Sequence, residues 1–168
     1  MRLVEGIAEI GGDRFADVDA FLERTTEVAA AHDVTVQAFD ARYVVSHRHL
    51  ERAVELADRE RARGEAIARD RGVEIALYAA GRRQIDRAFE MGVSSGETPT
   101  VVLVDGPGEE AAAAAAIEGL LAPAATLGAY DEARVRSFYD VDAAELEATD
   151  AGLAALVLER VALLVVER

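Results

Sequence analysis

The stretch from Val73 to Val93, VEIALYAAGRRQIDRAFEMGV, constrains the fold most, because its helical face carries charge where an ordinary core helix is apolar. Ile75, Tyr78, Ile85 and Phe89 recur at steps of three, seven and four, which lines them along one side of a single α-helix. Arg82 falls within the step of seven, between Phe89 and Ile75 on the wheel, and Glu74 enters the same arc. Neither is expected on the solvent side. Arg83, Asp86, Arg87 and Glu90 occupy the opposite arc as ordinary exposed residues. Gly81 and Ala88 line up with Leu77 and leave a narrow strip open to another backbone or a flat ligand. Gly92 is expected to end the helix. Two readings fit Arg82: methylenes laid on the core with the head in water, or a stackable guanidinium at the edge of a groove.

At 168 residues the chain suits one domain, without need of a second core. No apolar run reaches the ~18 residues of a membrane span, and MRLVEGIAEI lacks the apolar centre of a signal peptide. A cytoplasmic protein with no membrane partner is expected. Absence of Cys excludes disulfides and thiolate metal sites. All 18 basic residues are Arg, and 32 acids bring the net charge to -14. Such dense carboxylate fits a halophile, since strong screening tolerates self-repulsion. Residues 42–87, with 11 Arg and 8 acids, form the sole cationic third. That zone reads either as a site for an anionic ligand or as paired helix surface, Glu55 with Arg59 and Asp58 with Arg61.

In order, Leu3 to Ile10 reads as a strand, and Asp17 to His32 as a helix with Val18, Phe21, Leu22, Val28 and Ala29 inward. Val34 to Val45 reads as a second strand bending near Asp40, and Ser46 caps a helix from His47 to about Arg63. Leu50, Ala53, Val54 and Ala57 face inward there. Thr100 to Val104 is an apolar β-branched run typical of a central strand. An Ala-rich helix from Glu109 to Leu121 and a short one over 131–140, with Val135 and Phe138 inward, follow it. The last helix, to about Val166, has only Glu159 and Arg160 charged from Leu153 onward. Either the domain covers both its sides or another protein covers one. The fold class expected is α/β, one domain with a small mixed sheet packed by several helices.

VVLVDGPGEEAAAAAA imitates a phosphate-binding loop, but Lys is absent and Glu109 and Glu110 put negative charge where phosphate would sit. His47 and His49 fit capping or surface packing better than metal ligation. No cofactor or metal is expected, and no catalytic constellation can be justified from the spacing.

Across VEIALYAAGRRQIDRAFEMGVSSGETPTVVLVDG the sequence resembles the small regulatory subunit of the KEOPS complex, the kinase-binding subunit family in animals. The carrying residues are Glu74, Arg82-Arg83-Gln84-Ile85, Phe89-Glu90-Met91-Gly92-Val93 and Thr100 to Val104, extended by Asp40 to Ala57 and by LVLERVALL. The resemblance implies a protein without catalytic chemistry. It implies a role in tRNA threonylcarbamoyladenosine modification, with the kinase-like ATPase subunit and the single-stranded tRNA 3′ end as direct partners and the other subunits as indirect ones. On this reading Leu153, Leu156, Val157, Arg160 and Leu164 meet the kinase-like subunit, and Tyr78, Arg82, Arg83, Gln84 and Arg87 meet RNA. The alternative is a structural or ligand-sensing α/β domain whose last helix forms a homodimer seam.

Overall fold

In chain order the strands and helices are β1 (Arg2–Ile10), α1 (Val18–His32), β2 (Thr35–Asp40), α2 (His47–Ala62), α3 (Arg71–Ala80), α4 (Ile85–Ala88), β3 (Gly96–Asp105), α5 (Glu110–Glu118), α6 (Glu132–Phe138), α7 (Ala143–Glu147) and α8 (Leu153–Leu163). A computed structural model describes residues 1–167. The chain groups into two units, one built from residues 1–41 and 92–127, the other from residues 42–91 and Gly128 onward.

The first unit is the α/β one. Its sheet has the order β1-β3-β2, and β3 runs antiparallel to both neighbours. The sheet is thus antiparallel throughout, where a mixed one was expected. The helical connection α1 does set β1 and β2 parallel, but β3 inserts between them with reversed direction, so no parallel pair touches. Pro99 sits in this central strand without cost to the ladder: β2 ends opposite Thr100, so at Pro99 the strand has β1 alone beside it. Asp17 caps α1, accepting from Ala20 N at 2.8 Å. Phe21, Thr25 and Val28 form its buried line, whereas Leu22, expected inward, is exposed. With Ala113 and Ile117 of α5 and Val102 and Val104 of β3 they make the core.

The turn before α5 bears out the sequence argument against a phosphate loop. Glu110 carboxylate accepts from Gly106 N at 3.1 Å, filling with protein charge the place an anion would need.

The second unit is helical. The second strand stops at Asp40 and does not continue to Val45, because Ala41–Tyr43 turns into a 3-10 helix. Ser46 caps α2 as expected, its hydroxyl accepting from His49 N at 3.2 Å, and Leu50, Ala53, Val54 and Ala57 are buried. Helices α2, α3 and α8 pack on one another. Among the described residues no helix is long and apolar enough to cross a membrane.

Candidate functional site

Residues 73–93 do not form one helix. Helix α3 ends at Gly81, whose φ of 62° belongs to the left-handed region, and two bonds close the end, Gly81 N to Tyr78 O and Arg82 N to Leu77 O, both 3.1 Å. A Cβ at Gly81 would lie 3.2 Å from Arg160 O, so the close backbone approach expected along this strip is that of α8. The chain then restarts as α4 and a 3-10 turn over Phe89–Met91. This break resets the wheel. Ile85 and Phe89, assigned to the buried face of a continuous helix, are 47% and 49% exposed.

Glu74 is buried, as its place in the apolar arc required. Its carboxylate accepts from Ile67 N at 3.0 and 3.1 Å and from Ala68 N at 2.7 Å, tying the segment before α3 to the helix. Glu74→Ala strands two amide donors together, and a loss of about 3 kcal/mol in urea unfolding is expected. Glu74→Gln, which keeps one acceptor oxygen, should lose roughly half as much.

Arg82 and Arg160 are helix caps. Arg82 donates to Phe138 O and pairs with Asp140 at 3.2 Å, and its guanidinium lies 5.4 Å from the Phe138 ring centroid. Arg160 donates to Tyr139 O at 3.1 Å, to Asp140 O at 3.2 Å and to Glu145 at 2.6 Å, and the Glu145 bond holds its pKa above the usual arginine value. Two guanidiniums thus satisfy the carbonyls that the end of α6 leaves without an intrahelical partner. Arg82→Ala is therefore expected to destabilise the fold, contrary to the reading that it only edges a groove.

The end of α3 is capped from within. Tyr139 hydroxyl donates to Ala79 O at 2.7 Å, and His49 Nε2 lies 2.8 Å from the same oxygen. His49 Nδ1 accepts from Val45 N at 3.3 Å, so the ring proton must sit on Nε2. Burial lowers the His49 pKa to about 4, opposed by the bond to Ala79 O. Burial raises that of Tyr139.

The predicted site residues therefore divide. Tyr78 is buried, with no ring face open to a nucleotide, and Arg82 is committed to α6. Arg83, Gln84 and Arg87 are exposed along the α4 segment. Arg87 pairs with Glu90 at 2.8 Å, and Arg83 makes no ion pair among the described residues. Several arginines of the cationic third are paired helix surface, though with other partners than expected: Glu55 holds Arg48 and Arg52, and Asp58 holds Arg71.

On α8 the predicted partner face points the wrong way. Leu153, Leu156, Val157 and Leu164 are buried in the helical unit, and Arg160 caps α6. The outer side carries half-buried Leu158, exposed Glu159 and Ala162, and Leu163 at 38% exposure, and the following 3-10 turn adds Val166 at 73%. Periodicity could not choose between the sides, because a helix apolar nearly all round has none to prefer.

Over residues 15–164 the sequence matches the family described as kinase binding protein CGI-121. The chain belongs to that family. CGI-121 proteins are described as kinase-binding. No curated protein matches the chain.

Proposed function

We propose that this protein is the non-catalytic regulatory subunit of a KEOPS tRNA-modification complex, binding the kinase-like ATPase and helping to recruit tRNA by its single-stranded 3′ end. The kinase-binding part is carried by one observation: half-buried Leu158, exposed Ala162 and Leu163 of α8, and exposed Val166 on the following 3-10 turn gather around Glu159 into a largely apolar outer face, in a family named for binding a kinase. This outward face takes the place of the inward one chosen from sequence.

The RNA part is supported by the α4 segment. Arg83, Gln84 and Arg87 are exposed on the same short segment as Ile85 and Phe89, so an exposed ring and two exposed guanidiniums share one stretch of chain. Phe89 takes the stacking role given to Tyr78. A chain of net charge -14 suits a saline cytoplasm, where the Debye length is about 3 Å and distant phosphate attraction is nearly abolished. Stacking survives such salt, at roughly 1 to 3 kcal/mol per base.

Two measurements test the proposal. The chain should retain the kinase-like ATPase on co-purification, and a tight homodimer by light scattering with no retained ATPase refutes that half. In a gel-shift assay at molar salt, Arg83→Ala and Phe89→Ala should each weaken binding of a tRNA with an intact 3′ end by about 10-fold. Unchanged binding in both removes the α4 segment from the RNA surface.

A further inference from the structure

One hollow of about 410 Å³ lies within the helical unit, walled by Tyr43, Arg87, Glu90, Arg134, Ser137 and Phe138. The sequence gives no warning of it, since its residues come from three separate segments. We propose that it is a nucleotide pocket, holding one base on the face of Tyr43 with the phosphate between Arg87 and Arg134. The chemistry of the ligand is argued from the walls alone; that it arrives as an unpaired RNA end rests on the RNA reading above.

The floor is rigid. Phe138 meets the Tyr43 ring edge-on at 5.4 Å and the Tyr139 ring at 4.9 Å, and Arg82 lies 5.4 Å from its centroid, so this aromatic wall is held from three directions. The lid is loose. Arg134 places its guanidinium carbon 6.0 Å from the Tyr43 ring centroid. A flat ring sandwiched between two planes needs about 7 Å, two contacts of roughly 3.5 Å, so a small swing of the half-exposed Arg134 opens a slot for a base.

Both cations are available to an anion. Arg134 is held by Asp131 at 3.4 Å and Arg87 by Glu90 at 2.8 Å, each an exposed pair three residues apart on one helical turn. Such pairs contribute little and exchange readily, whereas a phosphate offers a guanidinium two parallel bonds. Ser137 adds a hydroxyl at the rim. An aromatic floor, two guanidiniums and a volume within the range of small-molecule sites select a planar ligand carrying negative charge. A base with its phosphate meets each demand.

The probes are adenosine 5′-monophosphate, adenosine, and a single-stranded hexaribonucleotide, titrated against the whole chain by calorimetry. Tyr43→Ala should weaken the monophosphate and the hexamer by about 10-fold or more, and Tyr43→Phe should restore both. Thermal melting of each variant guards against misfolding. Arg134→Ala should weaken the monophosphate more than adenosine, because the phosphate contact is lost. No binding of either phosphate-bearing probe overturns the pocket. So does a hexamer bound by the parent chain and weakened by Arg83→Ala but not by Tyr43→Ala, which leaves the RNA reading standing. Monophosphate binding that depends on Tyr43, with no hexamer binding, upholds the pocket and defeats the RNA reading.

Discussion

Leu163→Asp and Val166→Asp are each expected to release the kinase partner while leaving the chain folded. Both side chains stand in water in the free protein, at 38% and 73% exposure, so a carboxylate there costs the fold little. In a complex the same carboxylate would be buried against an apolar surface without a partner, a penalty of roughly 2 kcal/mol or more, which lowers affinity about 30-fold or further. Leu156→Asp gives the necessary contrast. Leu156 lies inside the helical unit, so its replacement would bury a charge in the free protein and unfold it; loss of the partner would then report on folding. Pull-down with circular-dichroism melting separates the cases. Retention of the partner by both outer variants at parent strength removes α8 from the interface.

How far the sequence carries can be judged at Gly81. Residues on either side keep helical spacing, and periodicity therefore runs straight through. Yet glycine reaches a φ of 62° without the steric cost a Cβ would bring, and that single backbone angle ends α3 twelve residues before Val93. Many local readings held, among them Ser46 as a cap, the buried face of α2, Glu74 inside the apolar arc, and Val135 and Phe138 inward, although Leu22 stands exposed and β2 stops at Asp40. Readings that extended a wheel across the break, Ile85 and Phe89 above all, did not. A second kind of miss concerns pairing between segments. Arg82 and Arg160 meet at the end of α6 from 78 positions apart, and Tyr43 faces Arg134 across a similar gap. Spacing along the chain carries no record of such meetings, which depend on how helices pack. The antiparallel sheet belongs here too, because only the insertion of β3 between β1 and β2 decides it.

Acid is expected to weaken the helical unit through His49. In the fold this ring is neutral, with Nδ1 accepting from Val45 N and Nε2 donating to Ala79 O. A second proton would have to sit on Nδ1, facing another N–H, in a buried site. The folded pKa is accordingly lowered from 6.5 to about 4. A histidine that binds its proton more weakly in the folded chain favours unfolding as acid is added. Its contribution is complete above pH 6.5, declines as pH falls through that value, and levels off below about 4. The full difference is about 3 kcal/mol, of which roughly 2 is lost by pH 5. The interval from pH 7 to pH 5 is the useful one, since most surface carboxylates remain ionised throughout it. Urea unfolding at the two pH values should show that loss in the parent chain. His49→Gln, which can still offer an acceptor to Val45 N or a donor to Ala79 O, should be less stable at pH 7 and nearly flat between the two. Equal slopes in parent and variant would mean that His49 does not carry the acid sensitivity, and that the cap on α3 rests on the Tyr139 hydroxyl.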